Sequence, residues 1–315
     1  MTKALTVATR RGDLAVAQTN IVISALKRIY PHIKVRTKKI VTDGDRDRET
    51  SLWNLKDSGF FTSKVEQALL KKKADFAVHS FKDLPTHQQK GLQIAAVCGR
   101  EFAEDCLIAA EKINSIDELQ HAAKIGTSSL RRAVQIKRLR ADLQILPIRG
   151  NVLTRIRLLE AGEFDAIVLA RAGVERLGLG SKISVCFDQR EFVPAPAQGV
   201  LAVQIRSDDI STRRVVGAID DWKSRAAAFA ERQILVKTRC GCHAPVGAFA
   251  EIKGGDIEIF AFISDLQGQN FIKRQIAGQA VNTARLAEKL ADELLDAGGR
   301  EILEKLENDE QTKTG

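Results

Sequence analysis

Short apolar runs alternate with amphipathic stretches along most of this chain, and the alternation predicts strands and helices in turn. Leu5 to Thr9 reads as a strand closed by the turn Arg10-Arg11-Gly12-Asp13, and a helical pattern follows from Leu14 to Ile29, stopping at Pro31. Ile33 to Val41 is a second strand, ending in Thr42-Asp43-Gly44-Asp45. After a polar loop and Gly59-Phe60-Phe61, a helix from Ser63 to Lys72 leads into Ala74-Asp75-Phe76-Ala77-Val78-His79-Ser80-Phe81-Lys82-Asp83-Leu84-Pro85. That stretch begins as a buried strand and ends in a dense polar set that Pro85 terminates.

The same order recurs downstream. Lys124 to Thr127 is a strand, Ser128-Ser129 caps a helix bearing Arg131 and Arg132 in its first turn, and Gln144 to Ile148 is a strand ending in Arg149-Gly150-Asn151. A helix through Glu160 follows, and Phe164 to Ala170 parallels Ala74 to Val78. Two successive strand–helix–strand–helix–strand units predict an α/β protein with two doubly wound lobes and a cleft between them. Gly91 to Val97 and Asp105 to Ala109 read as strands crossing between the lobes, and Gly199 to Ile205 as the return crossing, which makes a hinge. From about Trp222 the pattern changes to a helix, a cysteine loop, three strands near 248–252, 257–263 and 271–276, and helices at 283–296 and 300–306, a small α+β domain. The expected division is residues 1–99 with 200–217 for the first lobe, 100–199 for the second, 218–307 for the C-terminal domain, and a polar disordered tail at 308–315.

Composition narrows the function. The chain has 315 residues, 44% hydrophobic and 28% charged, with no apolar run of transmembrane length and no apolar core near Met1 to Ala8 that would mark a signal peptide. Five cysteines, scattered except for one Cys-x-Cys, do not form a disulfide framework, so a cytoplasmic location is expected. The formal net charge of +9 calls for an anionic partner. Nucleic acid is the default, but the arginines form no run or basic helix face and aromatic residues are only 5%. They sit singly or in pairs at strand-to-helix turns, which suits a small polyanion with several carboxylates or phosphates.

Three stretches carry candidate chemistry. In an open parallel sheet ligands bind beyond the carboxyl ends of the strands, where Lys82 and Asp83 lie, and a carboxylate beside an ammonium suits acid–base work. By itself this segment reads sooner as a surface turn with a neighbouring charge pair, and the rest of the chain reverses that preference. Gly126-Thr127-Ser128-Ser129-Leu130-Arg131-Arg132 puts hydroxyls, free backbone N–H groups and two arginines at a helix N-terminus, an anion-binding arrangement, against the plainer reading of an N-cap with surface arginines. Arg149, Arg155 and Arg176 occupy the matching ends of the second lobe, and Arg10 and Arg11 that of the first. Thr238-Arg239-Cys240-Gly241-Cys242-His243-Ala244-Pro245-Val246-Gly247 has no second ligand pair at zinc spacing, so no metal is expected. A thiol in an exposed loop beside arginines is easier to ionise, which points to covalent attachment, with a buried structural cysteine as the alternative for one of the pair.

The stretches 74–85, 126–132, Leu146 to Arg155, 164–170, Pro196-Ala197-Gln198-Gly199 and Gly241 to Gly247 occur in family order over nearly the whole chain, and together they resemble the porphobilinogen deaminase (hydroxymethylbilane synthase) family. The resemblance implies three domains, the first two like the lobes of periplasmic binding proteins. It implies a dipyrromethane cofactor, thioether-linked to Cys242 by the Gly-Cys-x-x-Pro-x-Gly match, and a transferase of porphyrin and haem biosynthesis. Four porphobilinogens would add head to tail with loss of ammonia before water releases hydroxymethylbilane. Asp83 matches the catalytic aspartate, with Lys82 beside it. Ser80, Thr127, Ser129, Arg131 and Arg132 fall at cofactor-binding positions, and Arg10, Arg11, Arg149, Arg155, Arg176 and Gln198 at or next to substrate-binding ones. Porphobilinogen is then the partner, with no nucleic acid or membrane, and the protein a monomer.

Two stretches depart from the family pattern. Arg-x-Ser-x-Leu-Ala is here Arg10-Arg11-Gly12-Asp13-Leu14-Ala15, and Gly-Lys-Gly-hydrophobic-Phe is Asp57-Ser58-Gly59-Phe60-Phe61, so both lose a contact on the first lobe. Cys240 is an additional thiol beside the attachment site. The rival class is a non-enzymatic two-lobe anion-binding module, normally exported; mass at Cys242 separates the two.

Overall fold

The structure is a computed structural model that describes residues 4–42, 62–238 and 244–312. The turn residues at 43–45, Ser58 with its loop, and the loop of Cys240 and Cys242 lie outside the described residues. The first lobe contains β1 (Leu5–Arg10), helix α1 (Asp13–Ile29), β2 (Val35–Ile40), α2 (Ser63–Leu70), β3 (Phe76–Ser80) and β4 (Leu92–Val97). The second contains β5 (Asp105–Ala109), β6 (Lys124–Gly126), α3 (Leu130–Leu139), β7 (Gln144–Leu146), α4 (Val152–Glu160), β8 (Ala166–Ala170), α5 (Arg171–Arg176) and β9 (Val185–Cys186). Strand β10 (Leu201–Arg206) then returns to the first sheet, followed by α6 (Ile210–Val216).

The two sheets are built alike. The first has the order β2-β1-β3-β10-β4 and the second β7-β6-β8-β5-β9. In each, the first three strands are mutually parallel, and the fourth position holds a strand arriving from the other lobe, antiparallel to its neighbours. A parallel neighbour needs a crossover within the same lobe, whereas a strand fed from the other lobe is free of that constraint. The exchange of β5 and β10 therefore ties the lobes together by two crossings.

Apolar layers cover both faces of each sheet. Val7, Val22, Leu26, Phe76, Val203 and Ile205 fill one face of the first, and Ala8, Val65, Leu69 and Ala77 the other. Leu107, Ile125, Ile136 and Val168 pack one face of the second, and Ile108, Ile148, Ile156 and Ile167 the other. That is why the central strands, β3, β8 and β10 among them, read largely as apolar runs, whereas the edge strand β2 (Val-Arg-Thr-Lys-Lys-Ile) is mostly exposed and polar.

Beyond α7 (Trp222–Thr238) comes the antiparallel meander β11 (Val246–Lys253), β12 (Asp256–Ser264) and β13 (Phe271–Gln279), then α8 (Thr283–Leu294) and α9 (Arg300–Thr312). One face of this sheet packs against α7 and α8 through Ile234, Ala248, Ile259, Ile263, Leu290 and Leu294. The other face presents Phe249, Phe260 and Phe262 to Val134 of α3 and to Val193, so the third domain sits on the second lobe. The chain end corrects the sequence reading: residues 308–312, expected as disordered tail, continue α9. Ile302, Leu303 and Leu306 anchor one face to the core, and the polar residues beyond need only keep the helical hydrogen bonds.

The hinge shows its tightest packing at Gly199. Its φ of +84° is left-handed, and a Cβ there would lie 1.9 Å from the carbonyl oxygen of Phe102. Only glycine lets the return crossing pass so close to the first.

Candidate active site

Strand β3, central in the first sheet, ends in the stretch Phe81 to Pro85 at the carboxyl end of the parallel strands. Phe81, 1% exposed, draws the chain into a 3-10 turn over Phe81–Asp83, which leaves Lys82 half-buried and Asp83 exposed. Phe81 N–H donates to Val200 O at 3.0 Å, so the turn is pinned to the return crossing. His79 is buried, bonds Gln204 at 3.1 Å, and burial pushes its pKa down to about 4. It is a neutral structural group, joined through Gln204 to Glu66 (2.9 Å) and Gln88 (3.1 Å), and not part of the acid–base set.

Lys82 leads inward. Its Nζ donates to Gln198 Oε1 at 3.1 Å, while Gln198 Nε2 donates to Ala103 O at 2.7 Å and Asp105 Oδ1 at 2.9 Å. Asp105 is fully buried and meets both arginines of α3: Arg131 Nη2 lies 2.7 Å from Oδ2, and Arg132 donates to Oδ1 through Nε (3.0 Å) and Nη2 (2.8 Å). A side chain of the hinge thus links the first lobe's ammonium to the second lobe's carboxylate. Burial pushes the Lys82 pKa down to about 8, with Asp83 opposing and Arg132 adding to the fall. Burial raises that of Asp105, but Arg131 and Arg132 more than offset it and hold the carboxyl at about 2.

Sequence reasoning missed Asp105. An acid opening an apolar run, Asp105-Cys106-Leu107-Ile108-Ala109, is the available signal, yet the same pattern ordinarily marks a turn before a strand. Its presence changes the account of Arg131 and Arg132, expected as anion holders at an open helix end. Both are buried, each also donates to a carbonyl (Val193 and Val168), and one carboxylate lies between two guanidinium groups. One excess positive charge remains.

The hydroxyls around the start of α3 have local duties. Ser129 is its N-cap, accepting from Arg132 N–H at 3.4 Å; Thr127 Oγ1 accepts from Ser129 N–H at 3.2 Å; and Ser128 donates to Ile148 O. The next helix begins beside them. Asn151 caps α4 by accepting from Thr154 N–H at 2.9 Å, and Gly150 takes the φ of +96° that the turn before it needs. Arg155 Nε donates back to Gly150 O at 2.9 Å. Its pKa is pushed down to about 10 by burial first and then by the like charges of Arg132 and Arg149. Arg149 Nε is buried with no hydrogen-bond partner. Three neighbouring guanidinium groups whose charges oppose one another, one with an orphaned donor, make an arrangement that anionic partners would relieve.

The remaining candidates lie around this centre. Arg176, at the end of α5, donates to Gly199 O at 2.6 Å and sits 3.8 Å from Glu101, so it braces the hinge. Ser80 accepts from Gln18 of α1 at 2.7 Å, a partner that sequence reasoning did not single out. Arg10 is half-buried and its charge reaches His79, whereas Arg11 is exposed. Among the described residues, the structure brings Lys82, Gln198, Arg131, Arg132, Arg149 and Arg155 into one electrostatic centre, with Asp83 at its rim beside Lys82. Cys242 lies outside the described residues, on the segment that follows α7.

Comparison with known proteins gives concordant matches. A family model described as porphobilinogen deaminase, dipyromethane cofactor binding domain, matches residues 5–214, and one described as porphobilinogen deaminase, C-terminal domain, matches residues 226–296. The porphobilinogen deaminase of Natranaerobius thermophilus is 42% identical over 307 residues, covering 96% of this chain and 98% of that one. That of Carboxydothermus hydrogenoformans is 39% identical over 309 residues, covering 98% and 99%. Among solved structures the methionine-binding protein MetQ aligns over 69% of this chain and 89% of its own, with 13% identity and a TM-score of 0.44.

Proposed function

This chain belongs to the porphobilinogen deaminase family, and on that premise we propose how its own residues divide the work of the reaction. The enzyme condenses four porphobilinogens head to tail on a dipyrromethane primer, with loss of ammonia at each addition, and water then releases hydroxymethylbilane for tetrapyrrole synthesis. When bound, dipyrromethane would supply the free α-carbon for the first addition, each later ring joining the free α-carbon of the terminal ring of the growing chain. Cys242 is its attachment point by the Gly-Cys-x-x-Pro-x-Gly motif.

The observation that carries the reading is the polar chain from Lys82 through Gln198 to Asp105, Arg131 and Arg132, continuous with the cationic group of Arg149 and Arg155. The excess guanidinium charge holds the acetate and propionate side chains, and Thr127, Ser129 and Ser80 keep the elements that present it in place. Arg10, Arg11 and Arg176 extend the binding surface across the first lobe and the hinge. At the rim, Asp83 accepts the pyrrole N–H. As ammonia leaves the aminomethyl carbon, positive charge spreads over the ring, and a carboxylate at the N–H opposes it directly. Lys82 keeps that carboxylate in place by charge, and Gln198 keeps Lys82.

The test is elongation by Arg155→Leu. Loss of a charge-assisted partner worth about 1.5–3 kcal/mol is expected to slow elongation by one to two orders of magnitude, with the helix cap at Asn151 undisturbed. Single-turnover elongation with labelled porphobilinogen reads it. A rate equal to the parent's would make Arg155 a solvated surface group and move the binding cleft elsewhere.

Lys82 adds a pH dependence. Its pKa of about 8 lies below the ordinary lysine value of 10.5, so the ammonium is present below about pH 8 and lost above it. Folding disfavours that ammonium at lower pH, and the penalty is relieved as pH rises from about 8 toward 10.5. The condensation rate is expected to fall as pH passes about 8, and Lys82→Arg, charged throughout, to carry the fall upward. An alkaline limb unchanged in Lys82→Arg would remove Lys82 from the role.

We place the protein in the cytoplasm as a monomer. Free thiols at Cys98, Cys106 and Cys186 suit a reducing compartment, and among the described residues no helix is long and apolar enough to cross a membrane.

A further inference from the structure

Helix α7 carries two adjacent buried charges, Glu231 and Arg232, with different partners. Glu231 pairs with Arg100 at 2.8 and 2.9 Å and accepts the amides of Ala197 (2.6 Å) and Ala250 (2.7 Å). Its charge is met by another charge. The hydrogen bonds of Arg232 run instead to main-chain carbonyls: Nη1 donates to Phe81 O and Leu84 O, each at 3.0 Å, and Nη2 to Pro85 O. Its guanidinium carbon also stands 4.5 Å from the centre of the Phe81 ring.

These contacts converge on one short segment. Phe81, Leu84 and Pro85 bracket Lys82 and Asp83, so the planar guanidinium grips the turn on both sides of the two residues without touching either side chain. Phe229, one turn earlier on α7, meets Phe81 edge-on at 5.5 Å and reinforces the grip. Burying a guanidinium without a carboxylate is an expensive way to fill space, and an apolar side chain of similar volume would pack there at less cost. What the guanidinium supplies is direction, since several N–H donors in one plane fix three carbonyls at once.

The same helix runs on to Thr238 and passes directly into 239–243, the segment of Cys242. From Arg232 to Thr238 is about 9 Å along the axis at 1.5 Å per residue. We propose that Arg232 is a positioning residue for the condensation step, holding the Lys82–Asp83 turn against helix α7, the helix that precedes the segment of Cys242 in the chain. The inference rests on the reading of Asp83 as the catalytic carboxylate.

Arg232→Met, which keeps the volume, and Arg232→Lys, which keeps the charge, test it beside Asp83→Asn and the parent. The measurements are intact mass, thermal midpoint, and kcat and KM for porphobilinogen in the cofactor-loaded proteins. Arg232→Met is expected to carry the dipyrromethane mass and an unchanged KM while kcat falls by about 10²-fold, the size of effect a ~1 Å misplacement produces. Arg232→Lys is expected to recover part of kcat, because one ammonium reaches fewer carbonyls than the fork. Parental kcat in Arg232→Met, or a loss confined to KM, overturns the inference. So does an unloaded Arg232→Met, which would assign the residue to cofactor attachment rather than to the condensation step. Should Arg232→Met not fold, loaded Arg232→Lys decides: reduced kcat at constant KM supports the inference, and parental kcat overturns it. Parental turnover in Asp83→Asn overturns the underlying reading; parental turnover in Arg232→Met beside an impaired Asp83→Asn overturns the inference alone.

Discussion

The intact mass of Cys242→Ser protein is expected to equal its sequence mass, with no condensation activity, while the parent exceeds its sequence mass by one dipyrromethane. Attachment needs a nucleophile that displaces ammonia from an aminomethyl pyrrole and forms a C–S bond. A thiolate does this readily, and a serine hydroxyl, far from ionised, does not. The other described thiols are poor substitutes. Burial pushes Cys98 up to about 12 and raises Cys106 further, and it raises Cys186 as well. Cys240 is the serious competitor, two residues away in the same Gly-bounded loop. Cys240→Ser is therefore expected to keep both adduct and activity. An adduct mapped to Cys240, or active parent protein of unmodified mass, would end the assignment of Cys242.

The lobes were legible because the middle of each sheet is buried on two faces, so the central strands announce themselves as apolar runs and the helices as a period. Even the crossings showed in this way: Gly91 to Val97, Asp105 to Ala109 and Gly199 to Ile205 are β4, β5 and β10 with their lead-in residues. The arginines at strand ends were legible for a similar reason, since a charge has no business there without a partner. What those arginines face was not. Arg131 and Arg132 stand in one helical turn, and only the antiparallel arrival of β5 from the first lobe sets Asp105 between them. The place of Gln198, between an ammonium in one lobe and a carboxylate in the other, likewise depends on the close approach of the two crossings at Gly199. Arg232 was hidden more deeply. On sequence it is one of several charges on a helix, and its three carbonyl partners lie about 150 residues away in the chain, at separations of 147 to 151. Local periodicity carries no information at that distance. The end of α9 went unread for the opposite reason: its polar residues look like a tail, and only the anchored face of Ile302, Leu303 and Leu306 marks the helix.

Asp83→Asn is expected to bind the primer and substrate and to elongate about 10²–10⁴-fold more slowly, the range that a positioned acid–base group supplies. The asparagine keeps the size of the side chain and one acceptor but removes the charge. With binding assigned to the guanidinium groups around Arg132, Arg149 and Arg155, none of which touches Asp83, affinity is expected to survive the change. The step that fails is the one in which positive charge spreads over the pyrrole as ammonia departs, because a neutral amide opposes that charge far less than a carboxylate. Lys82 sharpens the contrast: with Asp83 neutral, its ammonium loses the neighbour that favours its charged form, and its pKa is expected to fall further below about 8. Asp83→Glu keeps the charge and moves it by about one methylene, so part of the rate is expected to remain, within the ~10²-fold that a ~1 Å displacement costs. Single-turnover condensation of porphobilinogen by cofactor-loaded variants reads both. Since the turn is held from behind by Phe81 and Arg232 rather than by the Asp83 side chain, neither substitution disturbs its fold, and a rate in Asp83→Asn equal to the parent's would make Asp83 a turn residue and leave the condensation without its carboxylate.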